Sequence, residues 1–133
     1  MTDRETLFSY RLAQAEETLL DAEKMLGVDV SPRSILNRAY YAAFYAVLAL
    51  FLKENINVKT SRHAGVVLFF DKEFVQPGKI SKTSSKAFHK LFNARQEGDY
   101  KELMQVTHEE AINFVNIARE LIKEIKKILE ERR

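Results

Sequence analysis

Arg38 is the single charge in the stretch ILNRAYYAAFYAVLALFL, residues 35–52. A helix this apolar buries nearly its whole circumference, so it belongs in the middle of a bundle. A guanidinium inside it is costly to desolvate unless something specific pairs with it. Two readings follow. Arg38 makes a structural ion pair, with Asp99 as the obvious partner, or it is kept there to meet phosphate. Tyr40, Tyr41 and Tyr45 crowd the same helix. Buried tyrosine hydroxyls need partners, and Arg38 or the groups of a ligand would serve.

The remaining chemistry-bearing residues are fewer. His63 falls in the first turn of its helix, which reads first as a capping or surface position and second as a ligand contact. Arg95 and Asp99 stand four apart in the segment Arg95-Gln96-Glu97-Gly98-Asp99-Tyr100. If exposed, they form a local ion pair of about 0.3–0.5 kcal/mol. Lys82, Lys86 and Lys90 form a row at helical spacing, with Lys79 and Arg62 near it. That row is either a solvated face or a track for RNA, whose affinity would fall steeply with salt. His89 and His108 read as surface residues. There is no glycine-rich phosphate loop, no HExxH, no GxSxG and no Cys/His metal spacing. The Glu-x-x-His pairs of a carboxylate-bridged metal bundle are also missing. No metal and no cofactor is therefore expected.

These residues need elements to hold them. The 133 residues suffice for one domain with a real core, and 46% hydrophobic with 30% charged residues excludes a disordered chain. Four glycines and two prolines leave little turn material for strands, so long helices are expected. The lack of cysteine excludes disulfides and thiol nucleophiles and fits an intracellular, cytoplasmic protein. The first residues show no basic region followed by an apolar run, so no signal peptide is expected. The uncharged run 39–52 is shorter than the roughly 20 residues of a membrane span, and its aromatics lie mid-run, so it reads as a core helix with no membrane role. A net charge of +2 permits a nucleic-acid partner without demanding one.

Thr2 and Glu5 have capping-box spacing, and the stripe Phe8, Leu12, Ala15, Leu19, Ala22, Leu26 follows, with Gly27 as a left-handed stop. A helix over 3–26 results. Ser31 and Pro32 start a second helix reaching residue 54, thinned by alanines. A third, capped by Thr60 or Ser61, ends at Val75 before Gln76-Pro77-Gly78. A fourth covers 81–97, and residues 98–100 interrupt the pattern. Thr107 and Glu110 cap a fifth, carrying Ala111, Phe114, Ala118, Leu121, Ile125 and Ile128. The expected fold is all-α, an antiparallel up-and-down bundle of about five helices in one domain, 1–133.

The motifs Asn37-Arg38-Ala39-Tyr40-Tyr41-Ala42-Ala43-Phe44, Ser61-Arg62-His63-Ala64-Gly65-Val66, residues 72–79 and residues 95–100 occur in this order. Together they resemble the HEPN domain family, in particular its small stand-alone branch. The resemblance implies a helical bundle that forms a homodimer and works beside a small nucleotidyltransferase as a toxin–antitoxin-like pair. It also implies metal-independent ribonuclease chemistry, with an arginine and a histidine a few residues apart on the central helix. Arg38 takes the arginine place. The histidine place falls on Tyr45, six residues intervening. A tyrosine, with an ordinary pKa near 10, is a poor base at pH 7 but can donate to phosphate. Catalytic roles therefore fall on Arg38 and Tyr45. Ligand contacts fall on Asn37, Tyr41, His63, Arg95, Asp99, Tyr100, Lys82 and Lys86. The expected function is binding of nucleotide or RNA as the toxin-like member of such a pair. The alternatives are a metal-independent endoribonuclease or a non-catalytic dimerising scaffold.

Overall fold

Thr2 opens the first helix as its sequence spacing requires: its hydroxyl accepts the Glu5 N–H at 3.1 Å. The structure is a computed structural model. It describes residues 2–56, 62–100 and 105–131, with side chains except those of residues 97–100 and 131. Among these residues there are five α-helices: α1 (Asp3–Met25), α2 (Pro32–Lys53), α3 (His63–Phe70), α4 (Lys82–Tyr100) and α5 (His108–Glu131). A π-helical turn, Asp71–Val75, extends α3. The chain is an all-α helical bundle.

α2 is the axis. Ser31 caps it, with its hydroxyl accepting the Ser34 N–H, and Pro32 fills the first turn. Ala39, Ala42, Ala43, Ala46 and Ala49 are fully buried, and their small side chains let α1 and α5 lie close along it. α1 contributes Ala15 and Ala22, and α5 contributes Ala111, Val115, Ala118, Leu121 and Ile125. α2 is long and apolar enough to cross a membrane by length and composition, longer than its uncharged run alone suggests. However, 72% of its most apolar window is covered by the bundle. The capping box before α5 is complete: Glu110 accepts from the Thr107 N–H, and Thr107 accepts from the Glu110 N–H.

Two expectations need correction. Gly27 is not left-handed; α1 instead tightens into i→i−3 bonds from Leu26, Gly27 and Val28, which satisfy its last carbonyls. Among the described residues, the left-handed ones are Asn55 (φ 63°) and Gly78 (φ 83°). Asn55 closes α2, with the Ile56 N–H returning to the Phe51 carbonyl at 2.9 Å. Residues 98–100 do not interrupt α4, whose backbone stays helical to Tyr100. The caps assigned to Thr60 and Ser61 lie outside the described residues.

Candidate functional site

The first turns of α2 make one wall of a groove of about 420 Å³. Ser34, Asn37 and Arg38 line it with Arg33, and Arg95 of α4 closes it. Arg38 is half-buried, not shut into the core. Among the described residues it makes no ion pair, and its expected partner, the Asp99 side chain, lies outside them. The position at the start of α2 matters because the aligned peptide dipoles leave partial positive charge there, which favours an anion.

Arg95 also belongs to a second groove, of about 660 Å³, lined by Tyr41, Arg62, His63, Gly65 and Gln96. Aromatic rings hold its guanidinium. It lies 5.2 Å from the Tyr40 ring centroid and 5.1 Å from that of Tyr41, and it donates to the Tyr41 hydroxyl at 3.1 Å. A guanidinium plane suits this packing, as a lysine ammonium would not. No aspartate or glutamate is among the described residues lining either groove.

His63 is the first residue of α3, and it is neither a cap nor a surface residue. Its ring stacks on Phe44 at 4.1 Å, and Nδ1 lies 2.9 Å from the hydroxyl of Tyr40, which is fully buried. Burial raises the Tyr40 pKa, with the Arg95 charge opposing, so the phenol keeps its proton. Among the described residues that hydroxyl bonds only to His63, so it donates to Nδ1. The hydrogen-bond pattern therefore assigns the imidazole proton to Nε2. Burial lowers the His63 pKa below its ordinary 6.5, and the Arg95 charge lowers it further. His63 is thus a neutral donor at pH 7.

This shift carries a stability prediction. On acidification the unfolded chain protonates His63 near pH 6.5, before the folded chain does. The His63 contribution is therefore complete above about 6.5 and falls as pH drops below it. Urea unfolding between pH 8 and pH 5 should show wild type losing more stability on acidification than His63→Gln. Equal losses would show that the histidine is not held neutral.

The structure brings Asn37, Arg38, Tyr41, His63 and Arg95 together and leaves three expected contacts apart. Tyr45 lines neither groove; its ring packs on Tyr41 and lies under Arg11 of α1, 5.8 Å from the guanidinium carbon. Lys82 and Lys86 are exposed and line neither groove, because at 100° per residue Lys86 falls on the opposite side of α4 from Arg95. The side chains of Asp99 and Tyr100, and with them the Arg95–Asp99 pair, lie outside the described ones. His89 is more than a surface residue: it pairs with Asp71 of the π turn, which also accepts from Ser85 at 2.8 Å. Arg33 and the role of Tyr40 were not singled out by sequence. Arg33 heads the row 33–37–41 on α2, a spacing that could have revealed it.

Fold and site together define an all-α bundle with an arginine-lined surface at the start of its central helix. The HEPN domain family model matches residues 8–129, and the chain belongs to that family. It is 35% identical over 131 residues to a "UPF0332 protein" of Thermotoga maritima, covering 98% of this chain and 97% of that one. It is 36% identical over 120 residues to "Putative toxin MJ0605" of Methanocaldococcus jannaschii, covering 90% and 87%. To "Putative toxin MJ0142" of the same organism it is 29% identical over 118 residues, covering 89% and 78%.

Proposed function

We propose that this chain is a toxin-like HEPN protein that binds the phosphate of RNA or a nucleotide in the grooves that meet at Arg95. One observation carries the reading. Arg33, Arg38, Arg62 and Arg95 converge on two adjoining grooves. Guanidiniums gathered in this way suit anionic oxygens, and charge-assisted bonds to them are the strong kind. The names of the archaeal relatives support the toxin-like part of the reading. The family resemblance adds a small nucleotidyltransferase partner and a homodimer, and the lack of cysteine fits a cytoplasmic setting.

Cleavage of RNA is a second reading, favoured by the imidazole of His63 lying beside Arg62 and Arg95 in one groove. Its Nε2–H form is a hydrogen-bond donor to phosphate; to act as a base it must first release the Nε2 proton to solvent and take one from solvent at Nδ1, with the Tyr40 hydroxyl turning to accept from Nδ1–H.

Thermal melting tests the first reading, because a ligand that binds only the native state raises the melting temperature. At a hundredfold excess over Kd the gain is about 2.7 kcal/mol. Wild type should be stabilised by RNA or by a nucleotide, and Arg38→Ala should lose most of that gain while melting normally without ligand. No shift with any of them would reduce the protein to a scaffold. RNA recovered intact after incubation in chelator would remove the cleavage reading and leave binding.

A further inference from the structure

We propose that the groove of Arg62, His63 and Arg95 is a second phosphate subsite, so that the ligand is a single-stranded nucleic-acid segment whose successive phosphates occupy both grooves. This rests on the phosphate-binding reading above and narrows it, since a mononucleotide offers phosphate at one place only. Arg95 lines both grooves, so one guanidinium faces the passage between them. Along α2 the lined surface runs from Arg33 in the first groove to Tyr41 in the second. Those eight residues span about 12 Å at 1.5 Å each. A stacked strand carries a phosphate every ~3.4 Å and a strand with splayed bases is more extended, so this length passes about two of them.

The side chains suit a strand with splayed bases. Tyr41 is half-buried and lines the second groove, where a base can stack on its ring or on a guanidinium plane. His63 adds a neutral N–H donor, and the first groove adds the side-chain amide of Asn37 and the Ser34 hydroxyl. These groups bond phosphate oxygens without adding charge. The two basic patches lie on different helices, and a flexible single strand can bend to meet both where a stiff duplex cannot.

The test is a fluorescence titration with a single-stranded RNA octamer, an RNA duplex of the same sequence and AMP, from 50 to 300 mM KCl. The variants are Arg38→Gln, Arg62→Gln and Arg62→Glu. Arg62 is exposed, so its substitution leaves the fold in place, which the melting temperature verifies. The octamer should bind at least tenfold more tightly than AMP. Arg38→Gln and Arg62→Gln should each weaken the octamer and flatten the slope of log K against log salt by about 0.7, the value for one lost single-strand phosphate contact. Arg62→Glu should weaken it further, and AMP should respond to one of the two positions only. The subsite is overturned if octamer binding depends on Arg38 and is indifferent to Arg62, or if AMP or the duplex binds as tightly as the octamer; the phosphate-binding reading survives those outcomes. Failure of the folded wild type to bind any of the three defeats both.

Discussion

Arg95→Ala should be the most damaging single substitution for ligand binding, weakening RNA by roughly 10- to 100-fold, the span of one charge-assisted hydrogen bond. It should exceed Arg38→Gln and Arg62→Gln taken singly, because Arg95, alone among the described residues, lines both grooves. The same change removes a cation seated over two tyrosine rings and its bond to the Tyr41 hydroxyl. That should cost about 1–2 kcal/mol of stability, readable as a lowered urea midpoint. It also withdraws one of the two influences that hold the His63 pKa down, and burial remains as the larger. An NMR titration of the His63 ring should therefore move partway toward 6.5 and stop short. Arg95→Lys separates charge from shape: it keeps the cation but loses the plane that fits the tyrosines. It should restore most of the salt dependence and little of the affinity. Full recovery of affinity by lysine would mean that Arg95 acts only as a point charge.

The parts of this fold legible in the sequence were those set by local chemistry. Ser31 before Pro32, Thr2 before Glu5 and Thr107 before Glu110 each mark a helix start, because the bonds that satisfy the first N–H groups come from residues within one turn. The unbroken apolar run of residues 35–52 identified the axial helix, because little but burial on every side accounts for it. Gly98 was misread as a helix stop, whereas α1 does end just before Gly27 and only the left-handed conformation expected there was wrong. Glycine permits a helix to stop without obliging it to, at a cost near 1 kcal/mol within a helix, and packing decides. Arg38 stood out in the sequence, but its depth was not readable, because exposure depends on where neighbouring helices end. His63 was hardest to place. Its partners Tyr40 and Phe44 lie some twenty residues earlier on another helix, and no local pattern connects them. Tyr45 took its place from motif alignment alone, and in the structure its ring packs on Tyr41 and under Arg11 of α1, away from both grooves.

Tyr40→Ala should be the substitution most costly to the fold, at about 3–5 kcal/mol, the range for deleting a buried aromatic ring. Few domains of this size have more than 5–15 kcal/mol to lose. The position earns the upper part of the range. Tyr40 is fully buried, and its ring meets Phe44 on its own helix, His63 on α3, and Phe88, Phe92 and Arg95 on α4. Its removal leaves a cavity where three helices meet, and the rings around it are too large to collapse into the space without shifting backbone. Tyr40→Phe isolates the hydroxyl. The ring contacts persist, but Nδ1 of His63 loses its donor, at a cost of about 1–3 kcal/mol for a partly buried acceptor left without a bond. Urea unfolding of the two variants therefore divides the residue into its packing and its proton. The functional consequence differs as well. With phenylalanine the imidazole proton is free to move to Nδ1, which exposes Nε2 as a base, whereas the buried phenol now holds it as a donor. If the protein cleaves RNA, Tyr40→Phe should raise the rate; if it only binds, the same change should weaken binding through the lost Nε2–H. A variant equal to wild type in stability and in binding would show that the phenol does not set the state of the histidine.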